Sequence, residues 1–362
     1  MENIKDFAKI QTRLDLLLHG EILDRCCVAV TAPKNPADPY VNRPEGSESW
    51  YMDGERILQR NLERLEKTYF AGDALPMVFP YFGTGGHAKY FRDDVDVVYA
   101  PDTIWIHPYL ESCDDLRPAD LSRSRYFARE MEIMRYLAAE SKGRYLLGMP
   151  DNCGSYDALA QLRGNEPLLM DFLDEPEAVK RAARLCVDCL RDSCDIMFET
   201  VRASCGGGSV HGWMNLLSRG KIMQLQCDLA VMLSPDMFGE FIMEELRGTM
   251  DFLDNGVYHI DGREQVRHLE HLLSEPRINM CQWVSVAGQP PLIENVPTLR
   301  RIQKAGKGLV IQISKAEIKP LMQQISPKGV ILLVSDASSP EEADDIVRWV
   351  ERATGDALKN GQ

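Results

Sequence analysis

The chain is expected to be an α/β protein, specifically a (β/α)8 TIM barrel with an N-terminal helical extension. Three observations predict this. Short apolar runs alternate with amphipathic helical stretches along most of the sequence. About eight such units fit into 362 residues, the size of such a barrel with an extension. The first run is followed by Pro33, Lys34 and Asn35, where a dinucleotide-binding doubly wound sheet would carry a glycine-rich turn. Residues 1–362 are accordingly expected to form one domain.

The expected strands, in order, are Val28–Thr31, Met77–Phe79, Tyr145–Gly148, Ser209–Trp213, Val257–Ile260, Ile278–Trp283, Leu309–Ile313 and Val330–Val334. Between them, apolar residues three and four apart mark helices, as at Ile57, Leu58, Leu62 and Leu65. A long helix is expected from Glu177 to Thr200, with Cys186, Cys189 and Cys194 packed in its core face. No second CxxC or nearby histidine completes a zinc site there. Ser234 is a good N-cap before Pro235 at the first helical position, and Ser339-Pro340-Glu341-Glu342 opens the last helix with the same pattern. Residues 33–50 are rich in proline, glycine and polar side chains; placed after the first strand, this loop would lie over the barrel mouth.

Composition excludes several classes. Hydrophobic residues at 44% and charged residues at 27% describe a globular chain and neither a disordered nor a fibrous one. The 55 acidic side chains exceed the 41 basic ones, for a net charge of −14, so no nucleic-acid partner is expected. No run approaches the roughly 20 apolar residues of a membrane span, and the N-terminal segment has none of the parts of a signal peptide. Ten scattered cysteines fit the reduced thiols of a cytoplasmic protein.

In a (β/α)8 barrel the chemistry sits at the carboxyl ends of the strands, so the polar residues ending each run are the candidates. In Val257-Tyr258-His259-Ile260-Asp261-Gly262, alternation puts His259 and Asp261 on one side, as an acid/base pair or as two ligands of a metal. Asp228 follows Gln226-Cys227 and is expected beside them. His211, Trp213 and Asn215 alternate onto one side of another run, which is what a pocket for a small polar ligand needs. Gln282 and Trp283 end a further run; Asp151 and Asn152 close the one before Cys153-Gly154. Tyr81, Gln312 and Asp336 are weaker candidates. The glycines at 83, 85 and 86 lack the Gly-Lys-Ser/Thr of a P-loop. His268 and His271 share a helix face without the glutamate of HExxH, and are expected to be structural.

The stretch QLQCDLAVMLSPDMFGEF…YHIDG…CQWVSVAGQP resembles the uroporphyrinogen decarboxylase superfamily, which also contains the cobamide-dependent methyltransferases. The anchors are Asp228 with Ser234-Pro235 and Phe238, then His259-Ile260-Asp261-Gly262, then Gln282-Trp283 with Gly288. Weaker similarity covers most of the chain. The resemblance implies a (β/α)8 barrel with the site in its mouth. The decarboxylases carry substrate-binding arginines just after the first strand, where this chain reads CCVAVTAPKNPADPY. The methyltransferases bind zinc through His-x-Cys and a later cysteine. Here the first motif is His259-Ile260-Asp261, and no cysteine follows Cys281.

The expected function is therefore methyl transfer between a small methylated substrate or acceptor and a corrinoid carried by a partner protein. Asp228, His259 and Asp261 would protonate or orient the leaving group, and His259 and Asp261 could hold a zinc ion, joined by Asp228 or Asp336. Trp213, Trp283 and Tyr81 would wall the pocket; His211, Asn215, Gln282, Asp151 and Asn152 would hydrogen-bond the substrate. A lyase or decarboxylase acting on a small carboxylic acid is the alternative, and a non-catalytic binding barrel the third reading. The sequence leaves the oligomeric state open, a homodimer included.

Overall fold

The computed structural model describes residues 6–284 and 288–359, so the centre of CQWVSVAGQP lies outside the described residues. The strands, in chain order, are β1 (Cys27–Pro33), β2 (Thr68–Gly72), β3 (Met77–Val78), β4 (Val97–Tyr99), β5 (Ile104–Ile106), β6 (Leu146–Leu147) and β7 (Ser209–His211). They continue with β8 (Leu216–Ser218), β9 (Ile222–Leu225), β10 (Asn255–Asp261), β11 (Ile278–Val284), β12 (Gly308–Gln312) and β13 (Val330–Val334).

Seven of these form a central sheet in the order β2-β1-β13-β12-β11-β10-β9. Every neighbouring pair is parallel except β1 with β2. The central strands read as nearly unbroken apolar runs, VILLV in β13 and GLVI in β12, because both faces are covered. A shorter parallel pair, β3 with β6, is extended by a bridge from Met149 to His211 of β7. β4–β5 and β7–β8 are antiparallel hairpins. The fold is thus mixed α/β around a parallel sheet. Among the described residues, strand pairing does not run continuously from β2 to β3 or from β7 to β9.

All eight expected strands are present, three of them shorter: the second, third and fourth end at Val78, Leu147 and His211. The sequence reading lacked β9 and the antiparallel β2 of the central sheet, and the short β4, β5 and β8 outside it. The long helix runs from Pro176 to Ser204, and Cys186, Cys189 and Cys194 are buried along it as core residues. The Ser234 side chain accepts from the Met237 amide, and Ser339 Oγ from the Glu342 amide, so both caps form as expected.

The N-terminal helix, Phe7–Leu18, is tied to the sheet by a buried ionic knot. Asp73, with no exposed surface, accepts from Arg13 at 3.1 Å, from Arg25 at 2.6 Å and from the Val28 amide at 2.9 Å. Arg13 also pairs with Asp24 at 2.6 Å. Three charged groups can be buried together here because each finds a partner of opposite sign. The described residues contain no helix long and apolar enough to cross a membrane.

Candidate functional site

Parallel strands bring their carboxyl ends to one edge, and β9, β10 and β11 are neighbours there. Along β10 the pleat alternates: Tyr258 and Ile260 are buried, while His259 and Asp261 are partly open on the other face. Gly262 then turns the chain with φ 85°, a left-handed conformation that suits glycine. Asp228 stands just beyond β9. Ligand atoms of Asp228, His259 and Asp261 all lie within 4.8 Å of one another.

Two further residues hold this triad in place. Gln282 of β11 is in register with His259, and its Oε1 lies 2.7 Å from His259 Nδ1. An amide oxygen only accepts, so Nδ1 carries the proton and Nε2 keeps its lone pair free. Asp157, in the first turn of the Ser155–Arg163 helix, accepts the amides of Asp228 and Leu229 at 2.8 and 3.0 Å. It therefore fixes the turn that presents Asp228. Sequence reasoning passed over Asp157 because an acidic residue in a first helical turn is ordinary capping.

Four carboxylates converge here. Removal from water, then the charges of Asp157, Asp261 and Asp151, raise the pKa of Asp228 well above the usual carboxylate range. Burial raises Asp157 as well, against the amides it accepts. Burial also pushes Asp151 up to about 6, restrained by the Cys153 amide and the nearby His259. Lys89, a buried lysine whose charge reaches Asp151, is bound to Glu130 at 2.6 Å. The cluster is thus short of positive charge.

Behind it runs a neutral relay. Met214 donates its amide to His211 Nδ1, so Nε2 holds the proton and donates to Gln224 Oε1 at 2.9 Å. Gln224 Nε2 in turn donates to Asp151 at 3.0 Å. Burial lowers His211 to about 4, which keeps it neutral.

A cavity of about 810 Å³ has Gln282 and, alone of the triad, His259 in its wall; Asp228 and Asp261 do not line it. The Trp213 ring lies tilted at 5.5 Å from the His259 ring and edge-on at 6.5 Å from Phe79, which lies 5.8 Å from Tyr81. The Trp213 indole Nε1 has no partner among the described residues. Tyr40, Asn42, Pro44 and Trp50 also line the cavity, so the loop over 33–50 forms part of its wall. Gln312 lines it too.

Several expected site residues are placed elsewhere. Trp283, 1% exposed, faces away from the cavity, since adjacent strand residues point oppositely and Gln282 takes the inner side. Asn152 turns into the core, donating toward Cys194 and Met223 sulfurs. His211 and Asp151 are buried in the relay and do not line the cavity. Asn215 and Tyr81 do line the cavity, as expected, but the Asn215 amide is bound to Leu75 N and Asp73 O, and Tyr81 donates its hydroxyl to Asp102 O. Asp336 accepts the Lys315 amide and does not join the triad. His268 donates to Ala230 O and stacks on Phe238, a structural role as expected.

Two basic cavity residues went unread. Arg60 and Arg64 lie one turn apart on the Gly54–Lys67 helix and both line the wall. They continue the inward stripe begun by Ile57, a 57-60/61-64 spacing that the sequence shows but that basic residues disguise as a solvated face.

No family profile matches this chain, and no curated protein matches it. Among solved structures, it is similar in fold to a methyltransferase from Methanosarcina mazei. That likeness has a TM-score of 0.60 and 14% identity, over 95% of this chain and 98% of the other.

Proposed function

We propose that this chain is a methyltransferase moving a methyl group between a small methylated substrate or acceptor and a corrinoid carried by a partner protein. The observation that carries the proposal is the Asp228–His259–Asp261 triad beside an aromatic-walled cavity. The fold likeness to the methyltransferase from Methanosarcina mazei supports it, as does the resemblance at residues 228–262. In this reading the sheet and its flanking pairs are parts of one (β/α)8 barrel, with the cavity in its mouth.

The triad suits a divalent ion, and we assign zinc. Ligand atoms around a tetrahedral zinc at about 2.0–2.2 Å lie about 3.3–3.6 Å apart, which falls inside the 4.8 Å within which the triad's ligand atoms all lie. One imidazole and two carboxylates leave a position open for a reactant, and the uncompensated carboxylates favour a cation. Zinc, when bound, would supply Lewis acidity to an acceptor or leaving group. The chain's own residues do the positioning: Gln282 fixes the His259 tautomer, Asp157 holds the turn of Asp228, and Trp213 and Phe79 keep water from the reacting face. Without a metal, the raised Asp228 carboxyl would instead hold a proton for a departing group.

Metal analysis of purified wild type, His259→Ala and Asp261→Ala tests the site. About one zinc per wild-type chain, lost from both variants, is expected; a metal-free wild type overturns the zinc assignment. For the reaction, a corrinoid protein is mixed with the enzyme and methylated small molecules, and the corrinoid spectrum is followed. A spectral change that needs His259 is the expected result.

A carboxyl kept protonated beside a cavity would also serve a lyase, by protonating the carbanion left when carbon dioxide departs. Release of carbon dioxide from a small acid with no corrinoid present would favour that reading over methyl transfer.

A further inference from the structure

Arg60 and Arg64 carry positive charge into the cavity wall without a carboxylate partner among the described residues. Arg60 donates to the Trp50 carbonyl at 2.6 Å, and its guanidinium lies 4.2 Å from the centre of the Trp50 ring. Arg64 donates to the Met77 carbonyl. Glu45, an acid close to Arg60, has both its oxygens engaged by Arg56 at 2.9 Å. Each guanidinium has five N–H donors and cannot shed its charge by deprotonating, so donors remain free on both. Burial lowers Arg60 to about 10 and lowers Arg64 as well, the signature of charges withdrawn from water and left unbalanced.

A fixed cation pair in a cavity wall is stabilised by an anion from outside the chain. The one acid in the wall among the described residues, Asp102, pairs with neither arginine; Trp50, Phe79, Tyr81 and Trp213 offer aromatic faces, and a volume of about 810 Å³ suits a small organic molecule. We infer that the substrate is an apolar or aromatic-bodied carboxylate, its carboxylate held by Arg60 and Arg64 and its body lying along the aromatic wall toward His259. This rests on the reading of the cavity as the substrate site, and deepens it by naming the substrate class. Two guanidinium groups balance one or two carboxylates, which sets the scale of the substrate.

The test uses benzoate and its neutral amide, benzamide, titrated into the full-length protein by calorimetry. Wild type is expected to bind benzoate about tenfold or more tightly than benzamide. Arg60→Gln and Arg64→Gln should erase that preference, and Arg60→Lys should retain part of it. His259→Ala should leave it intact, because the carboxylate is read by the arginines; loss of the preference there would assign benzoate to the triad and overturn the inference. Equal binding of the two probes by wild type, or no binding of benzoate, would overturn it too. Should the arginine variants fold poorly by circular dichroism, the Trp50 emission serves in their place. Benzoate is then expected to change the fluorescence of wild type by more than that of Trp50→Phe, in which Trp213 of the same wall still reports; a response of equal size in both counts against the subsite. None of these readouts involves a corrinoid or zinc, so a failed methyl transfer and a failed carboxylate subsite are told apart.

Discussion

At the scale of single residues, the site depends on which atom of His259 is left free. The Gln282 acceptor at 2.7 Å keeps the proton on Nδ1 and presents Nε2 to the triad. Replacing Gln282 by Leu keeps the bulk and removes the acceptor. Metal affinity is then expected to fall about 10–100-fold, measured by competition with a chelator; an unchanged affinity would remove Gln282 from any orienting role. His259 and Asp261 were legible because strand alternation is a strict rule. The same rule separates Gln282 from Trp283, and naming both as pocket residues overlooked it. Asn152 and Asn215 escaped for a different reason. Their neighbourhood is set by left-handed turns, φ 49° at Cys153 and φ 52° at Asn215, which send side chains where no repeating pattern foretells.

At the scale of elements, the turn carrying Asp228 rests on a close approach between two segments. A Cβ at Gly154 would stand 2.2 Å from the Gln226 carbonyl oxygen and 2.8 Å from Asp157 Oδ2. Gly154→Ala should therefore push the 226–228 turn away from Asp157. A loss of about 1–3 kcal/mol is expected in urea unfolding, together with reduced metal binding. Retained metal binding at wild-type strength would show that the turn does not need this contact. The ionic knot at Asp73 is the second case. Asp73→Ala strands Arg25 in the interior, while Arg13 keeps Asp24, at about 3–5 kcal/mol, read by the same unfolding measurement; a loss below 1 kcal/mol, roughly the worth of a surface pair, would mean the knot is dispensable. β9 hid because IMQL is short and half methionine and glutamine, with little of the β-branched signature that marked β13. The helix caps, in contrast, are local chemistry and read directly from Ser-Pro followed by acidic residues.

Over the whole molecule, buried titratable groups pull stability in opposite directions with pH. His87 and His211 sit near pKa 4, against about 6.5 when unfolded, because burial disfavours their charged forms. Between those values the unfolded chain binds the protons, so their contribution is full above about pH 6.5 and is lost as pH falls toward 4. Burial raises Glu245 to about 7. There the folded state holds the proton, so its contribution is present at low pH and is lost as pH rises through 7. Glu245→Gln keeps an acceptor for the Ser155 amide and removes that loss. Its stability relative to wild type should rise between pH 5 and pH 8, by up to about 3 kcal/mol; a pH-independent difference would sink the assignment. The burial of all ten cysteines has a further consequence. Burial also raises every one of these thiols, and a thiol is alkylated only as its exposed thiolate. The native chain is thus silent to a maleimide, and each cysteine that becomes modified timestamps the opening of its own segment. Spread from β1 to β11, they make the molecule its own recorder of which parts loosen first.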